Sequence, residues 1–178
     1  MIREKVIAAV LAALLAGCGY TTSSIIADNA RTICVENFKN KIPLTEEVTG
    51  KRMYTGYRSG MEVAITRDII DRFVIDGNLR IADAANADLT LKGDLIDFSR
   101  EALRYDNNDN IIEYRLKVIV DLRLINNSTG KEIVREKRFT GETSYRTTGA
   151  LAKSEEAAIR EAEADLAKRV VERVVEGW

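Results

Sequence analysis

The sequence predicts an α+β fold, a two-layer sandwich of a mostly antiparallel four- to five-stranded sheet with two helices packed on one face. Three patterns predict it. Ile112, Tyr114, Leu116, Val118, Val120, Leu122 and Leu124 alternate with Glu113, Arg115, Lys117, Asp121 and Arg123, as a strand with one buried and one wet face requires. Met61, Ile65, Ile69 and Phe73 recur every fourth residue, and so do Ala158, Ala162, Leu166, Val170, Val174 and Trp178, the spacing of an apolar helix stripe. Residues 106–110 and 126–130 are rich in Asn and Asp, whose side chains bond back to the backbone, so both read as turns between strands.

Residues 1–17 have the layout of a lipoprotein signal peptide. Arg3 and Lys5 charge the start, residues 6–14 are unbroken apolar, and small residues precede Cys18. The apolar run is shorter than the ~20 residues a spanning helix needs, so it addresses the chain without anchoring it. Leu15, Ala16, Gly17 and Cys18 match the bacterial lipobox, which makes the Cys18 thiol the expected lipid (palmitate) attachment site; the alternative is an ordinary signal peptide with an incidental cysteine. Two or three acyl chains, at roughly 0.8 kcal/mol per buried methylene, hold a protein durably on a bilayer. Gly19 follows where Asp would retain the chain at the inner membrane by the enterobacterial rule, so the expected location is the outer membrane. Residues 18–29 then form a lipidated tether, and 30–178 a single domain.

Residues 31–38 read as a first strand and 39–57, with Pro43, Gly50 and Gly56, as a long loop. Ser59 and Glu62 have the spacing of a capping box, Gly77 is placed for a C-terminal cap, and Val63, Ile70 and Val74 widen the stripe of the helix between them. A short strand at 79–82 precedes a longer one at 88–105, in which Leu89, Leu91, Gly93 and Leu95 share a face until Ile96 and Phe98 break the phase; that predicts a bulge near Asp97. The strand at 131–145 carries Arg135, Glu136, Lys137 and Arg138 at its centre and reads as an edge. Ser154 caps the last helix, with Glu155 and Glu156 at its start and Lys168, Arg169 and Arg173 near its end, as the helix dipole favours.

The chemistry is narrowed by what the chain lacks. It has no histidine, which removes the usual general base, the commonest zinc ligand and every Ser-His-Asp arrangement. No phosphate loop or dinucleotide fingerprint occurs. Cys34, in the run Thr32-Ile33-Cys34-Val35, reads as a buried inert thiol. Asp94 and Asp97 suggest a carboxylate pair only in principle, since strand-borne acids alternating with apolar residues usually face solvent. Neither catalysis nor a cofactor is expected. Loss of Arg3, Glu4 and Lys5 takes the 27 basic and 28 acidic groups to 25 and 27, a net charge of −2, so nucleic acid is not an expected partner. The candidates that remain are Arg100, Arg104, Arg135, Lys137 and Arg138, flanked by Arg115, Lys117 and Arg123 and by apolar Leu103 and Phe139. Guanidinium forks beside apolar groups suit an amphiphile with anionic head groups. The alternative is a solvated surface in which Glu101, Glu113, Asp121 and Glu136 balance those cations.

Gly17-Cys18-Gly19-Tyr20, Ile33-Cys34-Val35-Glu36-Asn37-Phe38 with Asn40-Lys41, and Asp76-Gly77-Asn78-Leu79-Arg80 resemble the LptE-type lipopolysaccharide-assembly lipoproteins. So do Ala87-Asp88-Leu89, Tyr114-Arg115-Leu116, Asp121-Leu122-Arg123-Leu124 and Val174-Val175-Glu176-Gly177-Trp178. The resemblance implies a non-catalytic outer-membrane lipoprotein on the periplasmic side that binds lipopolysaccharide and plugs the large LptD-type β-barrel inserting it. Other lipidated α/β domains, such as activators of peptidoglycan synthesis or secretion-pore subunits, are the alternative class.

Overall fold

The computed structural model describes residues 30–42 and 58–176, so the signal peptide, the tether, Trp178 and most of the 39–57 loop lie outside the described residues. Chain order is β1 (Thr32–Val35), β2 (Lys39–Asn40), α1 (Met61–Asp76), β3 (Arg80–Ile81), β4 (Leu89–Tyr105), β5 (Ile111–Asn126), β6 (Lys131–Arg146) and α2 (Glu155–Glu176). Six strands form one sheet in the order β3-β1-β4-β5-β6, with β2 also against β4. The expected four to five strands become six because two of them are only two residues long. The three long strands make an antiparallel meander, whereas β1 lies between β3 and β4 and runs parallel to both.

The expected first strand is broken rather than continuous. Glu36 N–H still donates to Leu91 O at 3.0 Å, but Phe38 then turns inward, and its N–H donates to the Thr66 hydroxyl of α1 at 2.9 Å. The ring fills the space over Gly93, where an added Cβ would lie 2.5 Å from Phe38 Cδ2. β2 resumes the pairing beyond this break, so the start of the predicted loop is strand. Asp88 fastens β1 from the neighbouring end: its carboxylate accepts the Arg31 and Thr32 N–H groups and the Thr32 hydroxyl, which holds it below the usual carboxylate range.

Met61, Ile65, Ile69 and Phe73 of α1 are buried, as are Ala158, Ala162, Leu166, Val170 and Val174 of α2. They meet Leu89, Leu91, Leu95, Phe98, Leu116, Val118, Val120, Leu122 and Leu124 in one core. α2 packs tightly on Gly141 of β6, where an added Cβ would sit 2.6 Å from Leu166 Cα. Two parts of the α1 expectation fail. Val63 and Val74 are 60% and 66% exposed, because the sheet lies on one side only and these positions point away from it. The helix is capped by Gly60 at φ 93°, with no side-chain cap, so the Ser59 and Glu62 box does not form; Gly77 at φ 77° is the C-terminal cap, as expected. Ser154 does cap α2, its hydroxyl accepting Ala157 N–H at 3.2 Å.

Both β-turn expectations hold. The Asp106 carboxylate accepts N–H groups of Asn108 and Asn110, and the Asn126 side chain those of Ser128 and Thr129. The bulge falls between Leu95 and Asp97. A second slip lies in β6 between the partners of Val120 and Leu122, where Arg138 takes φ 53°. β6 is an edge strand, as its charges suggested.

Candidate functional site

The sheet face opposite the helices carries the charged residues. Across β5 and β6 the register sets Arg123 directly opposite Arg135, and like charges in that position repel. Among the described residues each has only a distant counter-ion: Arg123 Nη2 lies 3.8 Å from Asp94 Oδ2 and Arg135 Nη1 lies 3.7 Å from Glu132 Oε1. Next along β6 is the slip. There Arg138 N–H donates to Asp121 Oδ1 at 2.8 Å, its guanidinium stands 3.4 Å from Asp97 Oδ2, and its side chain remains 62% exposed. Lys137 is exposed beside it. Arg123, Arg135, Lys137 and Arg138 thus gather in one short stretch of two strands, in a form that invites an anion with several oxygens.

The other candidates lie elsewhere. Arg104 is 3.5 Å from Glu113, eight β5 positions before Asp121, which puts it ~27 Å along the strand from Arg138. Leu103, half-exposed, is beside it. Arg100 does not join the open face at all: it points toward the helices, 2.5 Å from Glu155 Oε2 at the start of α2 and 4.5 Å over the Tyr114 ring, which stacks on Tyr145. The bulge at Ile96 causes this, since residues of β4 that face inward are odd before it and even after it. Phe139 also faces inward, packed against the core.

Asp94 is held by Lys41 at 2.9 Å and Asp97 by Arg138, so each has its own cation. No group of three potential metal ligands occurs among the described residues. Cys34 is half-buried instead of enclosed; burial, followed by the charges of Glu36 and Asp83, pushes its thiol up and keeps it protonated at neutral pH.

One group escaped the sequence reading. Glu163 of α2 is only 5% exposed, and burial, reinforced by Asp68 and opposed by Arg160 and Arg58, pushes its carboxyl up to about 7. The folded protein therefore holds this proton more tightly than the unfolded chain does. The resulting stabilisation is complete below the unfolded value of 4.5 and is lost as pH rises through about 7. The wild type is expected to lose stability between about pH 5 and pH 8 in urea titrations, and Glu163→Gln to flatten that decline.

The fold and its open face define a class: a small two-layer α+β domain presenting charge from a helix-backed sheet. Within that class the chain belongs to the LptE lipopolysaccharide-assembly family, whose model matches residues 30–174. Similar solved structures include protein XCC0632 from Xanthomonas campestris, with TM-score 0.55 and 13% identity over 84% of this chain and 86% of that one. The CT253 protein from Chlamydia trachomatis gives TM-score 0.52 and 11% identity over 84% and 98%. Lipoprotein B from Nitrosomonas europaea gives TM-score 0.52 and 12% identity over 83% of each chain. At these identities the likeness is one of fold. No curated protein matches the chain.

Proposed function

We propose that this chain is an outer-membrane lipoprotein, anchored through acylated Cys18 on the periplasmic side, that partners an LptD-type β-barrel and assists lipopolysaccharide assembly without catalysing a reaction. The observation that carries the reading is the family match over nearly the whole described domain. The opposed guanidinium groups of Arg123 and Arg135, with Lys137 and Arg138, add a local reason, because lipopolysaccharide phosphates can approach them more closely than the carboxylates that stand 3.4 to 3.8 Å from the three arginines. Among the described residues no helix is long and apolar enough to cross a membrane, so attachment falls to the lipid.

Affinity purification of the full-length chain from detergent-solubilised outer membranes is expected to bring down a large β-barrel protein. Recovery of the chain without one would sink the partnership. Metabolic labelling with a fatty acid should mark the wild type and leave Cys18→Ala unmarked, with the variant released from the membrane fraction.

A further inference from the structure

We propose that the end of the domain formed by the last turn of α1 and by β3 is a membrane-docking surface, which sets Val74, Ile75 and Ile81 on the phospholipid leaflet that holds Cys18. The inference rests on the acylation of Cys18 proposed above and goes beyond it. The lipid supplies attachment, and the patch supplies an orientation.

Val63 apart, the large apolar side chains left exposed among the described residues gather at the two ends of the sheet. Val74, Ile75 and Ile81, at 66%, 75% and 37%, fall within one stretch of eight residues at one end, and Leu103, Tyr105 and Leu151 lie at the other. Inside residues 74–81 the one acid, Asp76, is already bonded by the Asn78 amide at 2.8 Å. The one base, Arg80, is exposed and makes no ion pair among the described residues. Apolar side chains beside an available guanidinium suit the boundary of a bilayer, where the apolar groups sink below the head groups and the cation meets phosphate.

The place where the chain enters decides which surface this end meets. Arg31 O accepts Arg80 N–H at 2.9 Å and Thr32 pairs with Arg80, so β1 begins beside β3. Arg80 in turn follows Ile75 by five residues, so the start of the domain and the apolar patch share one end. Residues 18–29 separate that start from the lipid and span at most ~42 Å. β1 runs parallel to β4, which puts the Tyr105 tip at the far end, ~50 Å along the sheet from Leu89. A domain standing on that tip would lift its first strand beyond the reach of the tether. One standing on Val74 and Ile75 keeps the strand close to the lipid and points the tip away from the bilayer.

An environment-sensitive nitrobenzoxadiazole dye on Ile75→Cys tests the contact, in the full-length lipidated chain with Cys34→Ser, reconstituted into vesicles of phosphatidylethanolamine and phosphatidylglycerol. The emission is expected to shift to the blue and to be quenched by lipid spin-labelled near the head group. The same dye on Leu151→Cys, 70% exposed at the opposite end, should keep the emission it has in water. Adding Val74→Asp should return the Ile75→Cys dye toward water while the chain still floats with the vesicles. Equal quenching at both ends overturns the proposal, and so does an Ile75→Cys dye that stays in water on a chain that floats. A shift seen in outer-membrane fragments and not in lipid vesicles assigns the patch to a protein, which also overturns it. A chain that neither floats nor takes up fatty acid overturns the anchor and the docking with it, so the two failures are told apart.

Discussion

Gly141→Ala is expected to cost about 3 kcal/mol of folding stability, although it adds a single methyl group. Most core substitutions are absorbed by a rotamer change in a neighbour. Here the obstacle is backbone: the new Cβ would lie 2.6 Å from both the Cα and the N of Leu166. The only relief is for α2 to lift from β6, and the helix is pinned on either side of the contact. Arg173 Nη2 is 2.6 Å from Glu136 Oε1, Arg169 donates to Thr140 O at 2.6 Å, and the Asp165 carboxylate accepts Glu142 N–H at 3.0 Å. Urea denaturation should show the lowered midpoint, and hydrogen exchange should show the loss concentrated in α2. A change under ~1 kcal/mol would mean that the helix sits further from the sheet than described.

The combined substitution Arg135→Gln, Lys137→Gln and Arg138→Asn is expected to weaken lipopolysaccharide binding about 100-fold, from the loss of three charge-assisted contacts at ~1 kcal/mol each. Asparagine is chosen at 138 because that position has φ 53°, which asparagine tolerates better than most side chains. Two comparisons locate the effect. Arg104→Gln, ~27 Å away along β5, should leave binding nearly unchanged. Arg100→Gln should do the same while lowering stability, since it removes the Arg100–Glu155 ion pair beneath α2. Capture of the folded variants on immobilised lipopolysaccharide at two salt concentrations measures all three. Equal loss in every variant would assign the binding to net charge instead of to one place on the sheet.

Most of what depends on period and local chemistry was legible in the residues, the Ser59 and Glu62 box excepted, where Gly60 takes the cap position instead. The alternation of 116–124 gave β5, the four-residue recurrences gave the buried stripes of both helices, and the phase break at Ile96 gave the bulge. What depends on a neighbour was not. Phe38 looks like one more strand residue until Gly93, 55 positions away, leaves room for its ring. Val63 and Val74 are apolar enough to be core, but a helix on a single sheet buries one stripe, and both lie off it. The site divided in the same way. Arg100 stands among cations in sequence, yet the bulge that was itself foreseen turns it to the other face. The opposition of Arg123 and Arg135 could not be read at all, because it depends on a register irregularity between Leu124 and Ile125, on the turn side of the pair. Glu163 was hidden for a related reason: its burial comes from the approach of α1, which local pattern does not encode.

The slip at Arg138 also governs how copies of the chain meet. β6 ends the sheet; Arg169, Asp165 and Lys153 take up Thr140 O, Glu142 N–H and Arg146 O toward its far end, and the stretch from Lys131 to Phe139 is left as the edge that an identical strand could join. Two such edges laid antiparallel about their middles would have to match ladders where the backbone of each flips over, with Arg135, Lys137 and Arg138 of one chain confronting those of the other. Molecules crowded side by side therefore collide without zipping together.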